Sequence, residues 1–298
     1  MKYGRIDGLD KDVSRLVMGV IRQQGMEPVL DDFFQRGGNC FDTAYVYRTQ
    51  QFLGQWIKDR GVREKAVILD KGAHTPHCTP EYLSRQILEG LERMQTDYVD
   101  IYMMHRDDPE VPIGEFMDVF HEHASAGRVR AFGGSNWTLE RVQAANEYAA
   151  STGRPGFSAI SNNFSLARMI DAPWAGCLAS WEKPWREWLR ETQMPLMPWS
   201  SQAQGFAAGL ADPNDRSNAD LVRCWYSDDN FQRIDRAKEL AGKLGVPTVA
   251  VALAYVLCQP FPTFPLIGPQ TPEETQASLL ALDVELTDDQ LAWLNLEK

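Results

Sequence analysis

Nowhere in the 298 residues is there a run of about 18 consecutive apolar residues, so no segment is expected to span a bilayer. The opening stretch, MKYGRIDGLDKDVSRLVMGV, has neither an apolar h-region nor a small-residue cleavage site, and no secretory signal is expected. Cysteine is scarce. Cys40, Cys78, Cys177, Cys224 and Cys258 are odd in number, scattered, and form no CxxC pair. That excludes a disulfide or zinc framework and suits reduced thiols in a cytoplasmic protein. Positive charge is also short, with 30 Lys and Arg against 41 Asp and Glu, net −11. Such a surface repels polyphosphate backbones, so neither nucleic acid nor an anionic membrane is expected as the main partner. A local basic pocket remains compatible with it. Finally, no GxGxxG follows the first apolar run, which continues as MGVIRQQG, and this disfavours a doubly wound open sheet.

What is present is an unbroken alternation. Hydrophobic residues make up 44% and charged residues 24% of the chain, as in ordinary globular proteins. The length is near the upper limit for one hydrophobic core and also suffices for two smaller domains. Short apolar runs that predict strands occur at 15–19, 39–43, 66–71, 98–105, 129–135, 157–162, 196–200 and 263–267. Several are apolar nearly throughout, as parallel strands covered on both faces are. Helical patterns separate them. Thr79-Pro80-Glu81 opens one, with Thr79 as N-cap and Pro80 at the first helical position; Leu83, Ile87, Leu91 and Met94 then recur on one face. Further helices are expected at 138–148, 231–244, 248–257, 272–280 and, behind the N-cap Thr287, 287–296. With no composition break, these strand–helix units predict an α/β fold, one domain over 1–298 closed as a (β/α)8 barrel. Two connections, 167–194 and 205–230, are long. They carry Trp174, Trp181, Trp185, Trp188, Trp225 and Tyr226. In a barrel both lie on the C-terminal face, where the aromatics either form a substrate wall or lid or simply pack the loops down.

Polar residues close the apolar runs. Asp42 lies in NCFDTAYVY, Lys71 in AVILDKG, His105 ends DYVDIYMMH, and Ser135-Asn136 lies in VRAFGGSNW; Tyr47 follows Asp42 by five residues. Barrel strand ends converge on one face, and charges placed there are costly unless they pair. The DTAxxY match (Asp42-Thr43-Ala44-Tyr45-Val46-Tyr47), the later Lys71, the strand from Asp100 to His105 and the GxSN turn (Gly133, Ser135, Asn136) occur in the order found in the aldo-keto reductases. The chain resembles that family over nearly its whole length, from Met18-Gly19 to Ile267-Gly268. The resemblance implies a TIM barrel, a nicotinamide cofactor, NADP(H) or NAD(H), and a catalytic tetrad of Asp42, Tyr47, Lys71 and His105. Carbonyl reduction needs a proton donor for the oxygen. A free phenol has a pKa of about 10, and a Lys71 cation beside Tyr47 is expected to lower it. Asp42 would hold Lys71 charged and oriented. His105 would hydrogen-bond the substrate oxygen or help relay the proton.

The same resemblance implies the cofactor contacts. Ser135 and Asn136 would hold the carboxamide, with Ser161 at the place where the family commonly has glutamine and Asn162 as its substitute. Trp199 in LMPWSSQAQG would stack on the nicotinamide ring, or else be a core tryptophan. Ser200, Ser201, Gln202 and Gly205 would wrap the pyrophosphate through backbone N–H groups. Gly268, Gln270, Glu274 and Ser278 would line the remaining cofactor contacts. The segment IGPQTPEETQAS departs from the family pattern: Glu273 or Glu274 stands near the usual basic position, and Ala277-Ser278 replaces Glu-Asn. A carboxylate repels a 2′-phosphate and accepts a hydrogen bond from a free ribose hydroxyl. NADH is therefore expected to serve comparably to NADPH or better, unless the carboxylate only faces solvent. Tyr45, Arg48, His74, Trp137 and Trp225 are expected at the substrate pocket. Arg48 stands where the family usually has glycine, and either meets an oxygen-rich or anionic substrate or is a loop charge. No metal is expected. His121 and His123, at i and i+2, point different ways on a helix, and His74, His77 and Cys78 are taken to line the mouth.

The functional expectation is an oxidoreductase that moves a hydride between a nicotinamide cofactor and a small-molecule carbonyl or alcohol, sugar- or polyol-like given the tryptophans and Arg48. The alternative is a nicotinamide-binding regulatory subunit with vestigial turnover, as some relatives are for potassium channels; the intact tetrad argues against it. A cofactor-free barrel isomerase leaves the GxSN turn and Trp199 without a purpose.

Overall fold

A computed structural model describes residues 1–298. A short antiparallel hairpin, β1 (Tyr3–Gly4) with β2 (Val13–Ser14), comes first. It is followed by β3 (Val17–Gly19), β4 (Cys40–Asp42), β5 (Val67–Gly72), β6 (Val99–Met104), β7 (Val129–Ser135), β8 (Ala159–Ser161) and β9 (Leu266–Ile267). These seven form one curled parallel sheet in the order β8-β7-β6-β5-β4-β3-β9. Between and around them run α1 (Met26–Gln35), α2 (Gln50–Arg60), α3 (Pro80–Met94), α4 (Ile113–Ser125), α5 (Leu139–Ser151), α6 (Lys183–Thr192), α7 (Ala219–Trp225), α8 (Asp228–Leu244), α9 (Thr248–Leu257), α10 (Pro272–Leu279) and α11 (Asp288–Leu294). No single helix is long and apolar enough to cross a membrane. Helix starts follow their local chemistry: Thr79 Oγ1 accepts the Tyr82 N–H ahead of α3, and Thr287 forms a capping box with Gln290 at α11.

The predicted run 196–200 is not a strand, and only the last two residues of 263–267 are. Proline is the reason. Pro195 and Pro198, and likewise Pro262 and Pro265, have no N–H to give to a ladder. What remains are isolated parallel bridges from Ile160 to Leu196 and from Leu196 to Thr263. Leu196 N–H donates to the Pro262 carbonyl at 2.9 Å, and Phe264 N–H donates to the Leu196 carbonyl at 2.8 Å.

Side chains alternate across a strand, and here the alternation sorts two apolar layers. Val17, Cys40, Val67, Leu69, Ile101, Met103, Ala131, Ala159 and Met197 share one cluster, with Ile6 and Val13 of the hairpin region packed among them. Phe41, Ile68, Tyr102, Met104, Phe132 and Ile160 belong to a second, larger cluster shared with the helices. Stepping two residues along the first row gives Cys40 to Asp42, Leu69 to Lys71, Met103 to His105, Gly133 to Ser135, Ala159 to Ser161 and Met197 to Trp199. The polar residues singled out by the sequence therefore cap one apolar row at the C-terminal ends of the strands. Asp70 falls in the opposite register, toward the helices.

Candidate active site

Asp42 and Lys71, on neighbouring strands, form a buried ion pair. Burial pushes the Asp42 carboxyl up, and the Lys71 charge opposes that shift. Tyr47 closes the 3-10 turn Tyr45–Tyr47 that leads from β4 toward α2. Lys71 Nζ lies 5.9 Å from its ring centroid. The Tyr47 ring meets His105 edge-on at 5.5 Å, and His105 meets His74 edge-on at 4.9 Å. The four expected catalytic side chains are thus gathered at one place.

Their electrostatics differ from the expectation in one respect. Lys71 does not lower the Tyr47 pKa, because its charge is matched by Asp42. Burial and then the Asp42 charge raise it, against a lowering by Arg106. Tyr47 is a neutral phenol, suited to giving a proton rather than acting as a phenolate. His105 is neutral as well: burial, then the Lys71, Arg106 and His74 charges, holds its pKa well below the usual histidine range. Its Nδ1 is buried without a partner. A neutral imidazole keeps one N–H with which to hold an oxygen.

The next strand ends bring Ser135, Asn136 and Trp199 together. Ser135 Oγ donates to the Ser161 carbonyl at 2.8 Å. Asn136 adopts a left-handed φ of 59°. Its Nδ2 donates to Ser135 Oγ at 3.0 Å and to the His105 carbonyl at 3.4 Å. Its Oδ1 accepts from Leu178 N–H at 3.0 Å and from Trp199 Nε1–H at 3.1 Å. Ser161 and Asn162 are not available in the same way. Ser161 Oγ donates to the Met197 carbonyl at 2.7 Å. Asn162 clasps the Trp137 backbone with both amide atoms, at 3.2 and 2.9 Å. Both side chains are fully buried. The group with spare capacity is Asn163, which the sequence reading passed over. Its Nδ2 donates to the Trp199 carbonyl at 3.0 Å, while its Oδ1 is buried with no partner. The Asn-Asn doublet was the available signal, with register deciding which asparagine is free.

After Trp199 the chain coils. Ser200, Ala203, Gln204 and Gly205 all have positive φ, at 47°, 50°, 52° and 90°, a run that favours a concave array of N–H groups. Ser201 Oγ ties this turn to β9 through the Leu266 carbonyl at 2.6 Å. Gln202 Nε2 donates to Ser278 Oγ at 3.1 Å. Beyond β9, a Cβ on Gly268 would meet open space. The Glu274 carboxylate accepts the Gln270 N–H at 2.6 Å, and the Glu274 N–H donates to Thr271 Oγ1 at 3.3 Å. Arg22, not foreseen from sequence, donates to the Pro269 carbonyl at 3.0 Å and so brings a cation to this rim.

Of the five expected pocket residues, His74 lies beside His105. Tyr45 turns away toward α3, where its hydroxyl donates to Glu89 at 2.6 Å and Arg93 covers its ring at 4.1 Å. Arg48 is exposed with a left-handed φ of 58°; it is a loop charge. Trp137 is core, packed against Phe157 at 5.2 Å and Phe116 at 6.2 Å, because the left-handed Asn136 turns the chain before it. Trp225 is core too, and its Nε1 donates to Gln204 Oε1 at 3.1 Å, bracing the coiled turn. The tryptophans of the first long connection divide. Trp185 and Trp188 meet edge-on at 5.9 Å within α6, and Arg168 covers Trp181 at 4.5 Å. Trp174 is 59% exposed, its ring 6.4 Å from that of Trp199. His121 and His123 are bound separately, to the Pro155 carbonyl and to Ser84.

Comparison with known proteins agrees with this arrangement. The model described as "Aldo/keto reductase family" matches residues 18–295. The chain is similar to the uncharacterized oxidoreductase YrpG of Bacillus subtilis (strain 168), with 27% identity over 99% of this chain and 95% of that one. It is similar to an NADP+ aryl-alcohol dehydrogenase of Phanerodontia chrysosporium, with 27% identity over 93% and 77% of the two chains. It is also similar to the norsolorinic acid reductase stcV of Emericella nidulans, with 26% identity over 92% and 72%. The match runs from the first strand of the sheet to the last helix, and it takes in every strand end that bears a polar inner-row residue. The chain belongs to the aldo/keto reductase family and is an NAD(P)H-dependent oxidoreductase.

Proposed function

We propose that the tetrad Asp42, Tyr47, Lys71 and His105 reduces a small ring-bearing carbonyl compound or, in reverse, oxidises the corresponding alcohol. The observation that carries this is the gathering of a buried Asp42–Lys71 pair, a neutral Tyr47 phenol and a neutral His105 at adjoining strand ends. Bound NAD(P)H supplies the hydride. His105 holds the substrate oxygen, and Tyr47 delivers the proton from its hydroxyl. Lys71, paired with Asp42, stands beside the Tyr47 ring.

The residues present fit the cofactor. Asn163 Oδ1 is an acceptor without a donor, and the bond from Asn136 Nδ2 to the His105 carbonyl is long at 3.4 Å and weak enough to be exchanged for one to a carboxamide oxygen, with Ser135 beside it. The half-buried Trp199 offers a ring face. The left-handed run at Ser200 and 203–205, with Ser201 and Gln202, suits a pyrophosphate, and Gly268, Gln270, Glu274 and Ser278 form the far rim. Because Glu274 is the carboxylate on that rim, NADH serves comparably to NADPH or better, Arg22 notwithstanding.

The Leu196 bridges support a closed eight-membered barrel in one domain over 1–298, with both long connections on its C-terminal face. Trp174 beside Trp199 supports a substrate ring, aryl or sugar-like, since both present flat faces to indole. The name of the Phanerodontia relative favours the aryl kind. Five free cysteines support a cytoplasmic setting. The test is the turnover of an aryl aldehyde and of glyceraldehyde with each cofactor, beside Tyr47→Phe. The variant is expected to lose about 100-fold or more in kcat while still binding cofactor by fluorescence quenching. A Tyr47→Phe enzyme as active as wild type overturns the assignment.

A further inference from the structure

Arg106 follows His105 directly and is only 4% exposed. A buried guanidinium persists only where acceptors surround it. Here NH1 donates to the His105 carbonyl at 2.8 Å, Nε to the Ala175 carbonyl at 3.3 Å, and NH2 to Cys177 Sγ at 3.3 Å. Gly176 lies between the last two. Its φ is +75°, and a Cβ there would stand 3.3 Å from Arg106 Cδ and Nε. The chain lies flat on the arginine because this residue is glycine. Cys177 N–H in turn donates to the Trp174 carbonyl at 3.1 Å, so the pinned segment is the turn that begins at Trp174. The next residue, Leu178, is fastened by Asn136 Oδ1 at 3.0 Å. A mostly exposed indole is thereby held 6.4 Å from Trp199 on a hydrogen-bonded turn. Apolar surface of this size, held out to solvent beside a reaction centre, favours a flat apolar partner.

We propose that Arg106 is a positioning residue for substrate selection, and that Trp174, on the turn it pins, is the specificity-determining wall for the aromatic ring of an aryl carbonyl substrate. This rests on the reductase assignment above. An aryl ring needs only the indole face. A sugar would also need hydrogen-bond partners, and both Arg106 and the Trp199 N–H are already engaged within the protein.

The experiment compares wild type, Trp174→Ala, Arg106→Met, Gly176→Ala and the Trp174→Ala/Arg106→Met double variant. For each, kcat and KM are measured with 2-naphthaldehyde and with propanal, and the circular-dichroism couplet of the Trp174–Trp199 pair is recorded. The ratio of kcat/KM for naphthaldehyde over propanal is expected to fall about tenfold in each single variant, mainly through KM, equivalent to about 1.4 kcal/mol. The double variant should fall no further than Trp174→Ala, because both changes remove one wall. The couplet should vanish in Trp174→Ala and weaken in Arg106→Met and Gly176→Ala. Equal losses on both aldehydes, or losses that multiply in the double variant, overturn the proposal. Gly176→Ala leaves Arg106 in place, so it decides the matter if Arg106→Met does not fold. If wild type binds cofactor but reduces neither aldehyde, the reductase assignment has failed instead. The couplet then decides alone, and one unchanged in Arg106→Met removes the positioning role.

Discussion

Replacing Asp70 by asparagine should change how stability depends on pH. Asp70 precedes Lys71 on β5 but points to the helix side, fully buried. Both carboxyl oxygens accept from Gln50 Nε2, at 2.9 and 2.8 Å. Gly90 on α3 makes the room, since a Cβ there would stand 2.7 Å from Asp70 Oδ2. Burial outweighs the Gln50 bonds and the Lys71 charge and raises the pKa to about 7, against about 3.9 in an unfolded chain. Between those values the native state keeps a proton that the unfolded state has lost. Stability from this group is therefore fully present below about pH 4, declines as pH rises, and is gone once pH has passed through about 7. Integrated from pH 5 to 8, the loss is about 3 kcal/mol. Asparagine does not titrate and keeps an oxygen for Gln50. The unfolding free energy of Asp70→Asn minus that of wild type should thus rise by about 3 kcal/mol over this range. Urea unfolding followed by tryptophan fluorescence at several pH values measures that difference. A difference that stays constant from pH 5 to 8 would mean that the native carboxyl is already ionised, and the burial argument would fail.

Lys71→Met leaves the Asp42 carboxylate buried without its cation and should lower stability by about 3 kcal/mol or more, most of it recovered in the Asp42→Leu/Lys71→Met double variant; urea titrations at pH 7 check both. With the Tyr47 pKa raised and that of His105 well below the usual histidine range, kcat/KM for reduction should be flat between about pH 7 and 9, with an acid limb only below the ordinary histidine value of about 6.5. A basic limb near pH 8 would show a phenol lowered by Lys71 after all. Equilibrium fluorescence titration should find NADPH bound less than tenfold tighter than NADH, and Glu274→Lys should shift the ratio toward NADPH. A wild-type preference for NADPH of tenfold or more would remove Glu274 from the account.

The inner row explains why the gathering of Asp42, Lys71 and His105 was legible in the sequence and their surroundings were not. Asp42, Lys71 and His105 each end an apolar strand, so a two-residue period carries them into the site without knowledge of any other segment. Tyr45, Trp137 and Trp225 were misplaced because their direction depends on single backbone angles or distant partners: Glu89 draws Tyr45 away, and the φ of Asn136 sends Trp137 into the core. The expected strand at 196–200 is reduced to a bridge because Pro198 within it and Pro195 just before it remove ladder donors despite the apolar character of the run. Arg106 had no local signature at all. A cation at the end of an apolar run looks like any surface charge, and two of its three acceptors lie about 70 residues away, at Ala175 and Cys177. The same separation makes it informative. Local pattern gathered the groups proposed to react, whereas the residues proposed to set what reaches them are held by contacts between strand ends and long connections. Substrate choice in this chain should therefore respond to changes such as Gly176→Ala that touch no reacting atom.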